Sequence, residues 1–206
     1  GKIDRLDGTF DEAGTRFFRV IDYKTGSAEF SYTDLYYGLK LQLPLYLAAV
    51  AAADDAAHRA LPAGFYYLPV KTPVLEEGLS GEALLKEVQK AFRLRGVSLK
   101  NAELLEAGGG PSVAPEKGTG VLGLEDFSAV AEFARRKAAQ TAEAVRTGRA
   151  ETAPYRKSKR DTACARCDYA SVCGFDPAFG GCAYRSVRTV KADAFLEEAR
   201  HETVDE

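Results

Sequence analysis

No apolar run in this chain approaches the roughly 18 residues that a helix needs to cross a bilayer, so no helical membrane span is expected. There is also no G-x-x-x-x-G-K-[S/T] loop, so any use of ATP has to be supplied from elsewhere. Methionine is absent, and the two histidines, His58 and His201, show no ligand spacing and are assigned no role. A net charge of −2, from 28 basic and 30 acidic residues, gives no global electrostatic case for nucleic acid. A DNA-binding surface would have to come from local clustering or from a partner. Internal repeats and a signal-peptide pattern are missing too. The opening Gly1-Lys2-Ile3-Asp4 lacks an initiator methionine, so the chain is expected to be a fragment of something larger or a trimmed form.

What remains is an ordinary globular balance. At 206 residues, 46% apolar and 28% charged, the chain suits one α/β domain, or a domain with a small appendage. Residues 1–7 (GKIDRLD) and 17–23 (FFRVIDY) are short and β-favouring, and GTFDEAGT between them carries turn residues. Residues 33–57 are predicted to form one long helix, with Asp34 in its first turn and a kink at Pro44. A central strand is expected over 63–70, an amphipathic helix over 81–95, a flexible linker over 107–120 and a strong helix over 124–147. Strand, strand, helix, strand is the order of a mixed α/β fold around one sheet.

The chemistry concentrates near the start. Side chains alternate faces along a strand, so Asp22 and Lys24 share a face that Tyr23 does not. An antiparallel partner strand would bring Asp4 beside Asp22. Two carboxylates on one face repel unless a cation lies between them, and hard oxygen donors suit Mg²⁺ or Mn²⁺. The Tyr23 carbonyl is a further candidate ligand. Lys24 would orient the attacking water and stabilise charge on a phosphate, which implies phosphodiester hydrolysis. An isolated D-x-K would more simply be a solvated turn with a surface ion pair. The apolar lead-in Val20-Ile21 and the preceding G-x-I-D-R strand shift that balance.

The runs GKIDRLD and RVIDYKTG, followed by Gln42 and Tyr46 in GLKLQLPLYL, resemble the RecB-type nucleases of the PD-(D/E)XK superfamily. The resemblance implies a restriction-endonuclease-like fold, a mixed central sheet flanked by helices. It also implies that Asp4, Asp22 and Lys24 are metal-binding and catalytic, and that Gln42 and Tyr46 form the Q-x-x-x-Y signature that positions DNA or the active site. Without it, Tyr46 would be read as a core aromatic and Gln42 as a boundary polar residue. Such nucleases usually carry an acidic residue or histidine on a helix before the first strand. The chain begins at that strand, so the metal site is expected to be incomplete as it stands.

Cys164, Cys167 and Cys173 form C-x2-C-x5-C, with Cys182 beyond. Paired thiolates at this spacing indicate zinc or an iron–sulfur cluster rather than disulfides, with spacing alone nearer to zinc. A subset of RecB-like nucleases closes its domain with this pattern and takes a fourth cysteine from upstream to hold a [4Fe–4S] cluster. The tail TACARCDYASVCGFDP resembles those of the B subunits of AddAB-type helicase–nucleases. The resemblance thus implies iron–sulfur ligation by Cys164, Cys167 and Cys173, with zinc or no metal as alternatives in a fragment and Cys182 outside the pattern. The expected division is a nuclease core over 1–150 and a cysteine-rich metal-binding tail over 151–206.

Arg156, Lys157, Lys159 and Arg160, with Tyr155 and Tyr169 nearby, are candidates to track a phosphate backbone, or equally a solvated loop. Arg135, Arg136 and Lys137 read as a solvated helix face. The resemblance implies a bacterial cytoplasmic exonuclease domain acting on single-stranded DNA during break repair, beside a helicase-bearing A subunit. The alternatives are a stand-alone RecB-like or CRISPR-associated exonuclease, and a non-catalytic DNA-binding module with a structural metal.

Overall fold

The first two strands form the expected hairpin, shifted along the chain. In the computed structural model, which describes residues 1–26, 29–53, 60–100, 120–149 and 151–204, β1 is Arg5–Phe10 and β2 is Arg16–Lys24. Asp4 lies one residue before β1 rather than inside it. The turn needs only residues 11–15, because the Asp11 carboxylate accepts the Thr15 N–H at 2.7 Å and Gly14 supplies a φ of +79°. Thr9 and Phe10 are thereby free to pair with Phe17 and Arg16.

The sheet has five strands in the order β1-β2-β3-β4-β5. β3, Leu61–Pro69, runs parallel to β2, and its interior position agrees with its apolar sequence. The helix expected over 81–95 is shorter: α3 is Gly81–Ala91, and Arg95–Leu99 turns back as β4, antiparallel to β3. Gly96 makes that pairing possible, since a Cβ there would stand 2.0 Å from the Phe65 carbonyl oxygen. β5, Val121–Leu122, pairs parallel with β4. The expected linker lies outside the described residues except for Gly120.

The long kinked helix is instead two helices, α1 (Tyr32–Tyr36) and α2 (Gln42–Ala53). Gly38 adopts a φ of +73° and ends the first, while Pro44 falls in the first turn of the second. An N–H is not required there, so Pro44 causes no break. α4 (Leu124–Arg146) matches its expected range. Phe127, Val130 and Ala134 are buried as its apolar stripe predicts, whereas Leu124 is exposed.

One face of the sheet carries the main core, where Val20, Leu43, Leu47, Phe65, Val97, Phe127, Val130 and Phe133 meet. Ile21, Tyr66 and Leu94 form a small cluster apart from it. A helix with no counterpart in the sequence reading, α6 (Ala192–Val204), packs against α4 and adds Phe195, Leu196 and Ala199 to the core. Between α4 and α6, β6 (Tyr155–Arg156) and β7 (Arg185–Ser186) pair parallel. They bracket a 3₁₀ turn, Ala163–Arg166, and the short helix α5, Ala170–Cys173.

Candidate active site

β2 delivers Asp22 into the protein interior, 3% exposed, on the side of the sheet facing α2. Tyr23, next in the strand, is exposed. Lys24 forms an ion pair with Asp22 Oδ2, and its ammonium lies 5.5 Å from the centre of the Tyr67 ring. Gln42, the first residue of α2, donates from Nε2 to Asp22 Oδ1 at 3.2 Å. The same amide lies 3.2 Å from the Tyr46 hydroxyl oxygen one turn later. Residues four apart share a helix face, which is why one side-chain amide spans both partners.

Asp4 joins from the other strand. The β1–β2 register ends at Arg5 opposite Ile21, and just before it the Asp4 carboxylate accepts the Tyr23 N–H at 3.0 Å. Gly1 closes the cluster: a Cβ there would lie 2.5 Å from the Tyr46 hydroxyl oxygen, so only glycine lets the chain pass this close. Asp4, Asp22, Lys24, Gln42 and Tyr46 are therefore drawn to one end of β2.

The donor set can be tested against a divalent cation. Asp22 Oδ2 is buried with no hydrogen-bond donor aimed at it among the described residues; the Lys24 ammonium is close but off hydrogen-bond geometry. A buried carboxylate oxygen lacking a donor is costly, and a hard cation is a ligand that satisfies it. The residues thus fit Mg²⁺ or Mn²⁺ in chemistry. Their number is small: among the described residues no three His, Cys, Asp or Glu side chains stand together as a metal-binding group.

That applies equally to the cysteines. Cys164 sits on the 3₁₀ turn, Cys167 caps it, and Cys173 ends α5. All four cysteines are free thiols, with Cys167 and Cys173 exposed. Their sulfur chemistry suits zinc or iron–sulfur, but among the described residues they form no cradle for either.

The basic run divides. Arg156 stacks over the Tyr184 ring at 5.0 Å, and Lys159 and Arg160 are exposed on a turn. Lys157 instead reaches inward to Asp34, 2.5 Å away. The Arg135-Arg136-Lys137 face is only partly solvated. Arg135 pairs with Glu132, whereas Lys137 lies over the Tyr36 and Phe133 rings. His58 lies outside the described residues, and His201 is exposed near the end of α6.

The sequence reading passed over Tyr67 and Asp34. Tyr67 is paired in register with Asp22. Burial, followed by the Asp22 and Asp34 charges, pushes its hydroxyl up to about 12. Asp34 is 4% exposed and holds Lys40 at 3.1 Å as well as Lys157. Burial alone would raise its carboxyl, but hydrogen bonds from Lys157 and then Lys40 hold it below the usual carboxylate range.

A mixed sheet carrying D-x-K at a strand end, with Gln and Tyr on the next helix, defines a nuclease class. The PD-(D/E)XK nuclease superfamily model matches residues 1–174, and the chain belongs to that superfamily. Similar curated proteins are each named as the B subunit of an ATP-dependent helicase/deoxyribonuclease. That of Moorella thermoacetica is 34% identical over 94% of this chain and 18% of its own length. Those of Clostridium tetani and Alkaliphilus metalliredigens are 33% and 31% identical, each over 98% of this chain and 19% of the relative. The chain thus spans about a fifth of the length of the relatives it matches.

Proposed function

We propose that this chain is the metal-dependent nuclease domain of an AddB-like helicase–deoxyribonuclease component, hydrolysing phosphodiester bonds of single-stranded DNA at broken ends. The observation that carries this reading is Asp22, buried with one oxygen lacking a donor, flanked by Lys24 and Gln42, with Asp4 on the adjoining strand. Asp4, Asp22 and the Tyr23 carbonyl would hold Mg²⁺ or Mn²⁺. When bound, such an ion supplies Lewis-acid polarisation of the phosphoryl group and lowers the pKa of a bound water. Lys24 stabilises the charge that develops on the phosphate. Gln42 fixes the orientation of the Asp22 carboxylate, and Tyr46 fixes Gln42. Residues 1–150 would be the catalytic core and 151–206 a tail that rests on it.

The same reading gives the domain a bacterial cytoplasmic setting and a helicase-bearing partner chain, as the names of the relatives suggest. The [4Fe–4S] proposal rests on the C-x2-C-x5-C spacing, with Cys164, Cys167 and Cys173 as ligands and a fourth from elsewhere. A brown protein absorbing near ~400 nm would support it, and a colourless zinc protein would count against it.

The test is Mg²⁺-dependent cleavage of end-labelled single-stranded DNA by the intact protein, compared with Asp22→Ala and Lys24→Ala. Both variants should lose cleavage while still binding DNA. Cleavage that survives both substitutions would remove the active-site assignment. Binding with no cleavage by the unaltered protein at any metal concentration would favour a non-catalytic DNA-binding module.

A further inference from the structure

Asp34 gathers two lysines where one would neutralise it. Its carboxylate is 4% exposed, with Lys40 Nζ 3.1 Å from Oδ2 and Lys157 Nζ 2.5 Å from Oδ1. One negative and two positive charges leave a surplus of one cation. A buried carboxylate is compensated by a single ammonium, and a second adds desolvation cost without a matching charge. Both lysine side chains keep contact with water, 39% exposed for Lys40 and 28% for Lys157. Each ammonium has three N–H groups, more than Asp34 occupies. Lys40 uses another on the Glu29 carbonyl at 3.2 Å.

This cluster adjoins the nuclease centre. Lys40 precedes Gln42, the donor to Asp22, by two residues. Tyr67 stands opposite Asp22 in register, has the Lys24 ammonium over its ring, and feels the charges of both Asp22 and Asp34. The two lysines also come from different parts of the chain, one just before α2 and the other from the cysteine-rich tail.

We propose that Lys40 and Lys157, held by Asp34, form a subsite for a backbone phosphate of the single-stranded DNA engaged at the Asp22–Lys24 centre. The phosphate supplies the negative charge the cluster lacks. Asp34 is the positioning residue: it immobilises both ammonium groups before DNA arrives, so less side-chain freedom is lost on binding. The inference rests on the DNA-nuclease reading above. It differs from a general basic surface in naming two lysines distant in sequence and one buried acid.

The experiment measures binding of fluorescein-labelled oligo(dT) to the intact protein by anisotropy, in EDTA and across a KCl series. Each phosphate contact on a single strand contributes about 0.7 to the slope of log K against log salt. Lys40→Gln and Lys157→Gln should each lower the slope by about 0.7 and weaken binding several-fold at low salt. Lys157→Arg should keep the wild-type slope. In Mg²⁺, both glutamine variants should raise KM and leave kcat at saturating DNA nearly unchanged. A clasp that merely holds the tail would shift thermal unfolding without changing the slope. Unchanged slopes in both glutamine variants would overturn the subsite while leaving the nuclease reading intact. Absence of salt-dependent binding by the wild-type protein would overturn both. Should Lys157→Gln unfold, Lys40→Gln carries the measurement, because it leaves Lys157 on Asp34.

Discussion

Replacing Asp34 with asparagine keeps the shape of the side chain and removes its charge. Deleting one member of a fully buried ion pair costs about 3–5 kcal/mol, because the survivor is left charged and dry. Here the survivors are Lys40 and Lys157, which are 39% and 28% exposed and can turn towards water. The lower figure for losing hydrogen bonds to a charged group, about 2 kcal/mol, is therefore the expected cost at neutral pH. In a domain of this size that corresponds to a fall in Tm of roughly 4–8 °C. The pH dependence gives a second reading of the same energy. The Asp34 carboxyl is held below its ordinary value in the folded protein. Its stabilisation is thus present above the unfolded pKa of about 3.9 and is lost as pH falls. The advantage of wild type over Asp34→Asn should hold steady from about pH 7 to about 5, then narrow by up to about 1.3 kcal/mol at about pH 3. Urea titrations of both proteins across that range measure it. A gap that does not change with pH, or no gap at pH 7, would refute the account of Asp34 as an ionised, doubly paired centre.

Other outcomes follow from single contacts. Gly96→Ala would drive a Cβ to 2.0 Å from the Phe65 carbonyl oxygen and force β3 and β4 apart, a loss of about 1–3 kcal/mol by urea titration. Phe195→Ala removes a fully buried ring that packs 4.9 Å from Phe133, and should cost about 3–5 kcal/mol. An effect below about 1 kcal/mol would mean that α6 is not part of the core. Tyr67 keeps its proton to about 12 in the folded state, whereas unfolded tyrosine ionises near 10. The folded form prefers the neutral phenol, so stability is lost as pH rises above about 10. Wild type should lose about 1.4 kcal/mol more than Tyr67→Phe between about pH 9 and 11, and equal losses would contradict the burial assigned to that hydroxyl.

The residues legible from the sequence share one property: their partners are close along the chain. Asp4 and Asp22 meet across a single hairpin, Lys24 is two positions from Asp22, and Gln42 and Tyr46 lie one helical turn apart. Alternation and helical spacing suffice to place such groups. Local signals also existed where the reading failed. Gly38 before a proline in a first turn marks two helices, and Phe195, Leu196 and Ala199 have the spacing of a helix face. β4 was harder, because Arg95–Leu99 is short and follows an amphipathic helix without a break. What no local pattern carried was the pairing of Tyr67 with Asp22, which depends on a parallel crossover between β2 and β3. Asp34 is the clearest case. Ser31 caps α1 by accepting the Asp34 N–H at 3.2 Å, so in sequence the acid resembles any first-turn aspartate facing water. The arrival of Lys157 from more than a hundred residues away, together with Lys40, makes it a charge centre beside Asp22. Burial decides that difference, and burial is set by tertiary contacts that a helix-capping pattern does not encode.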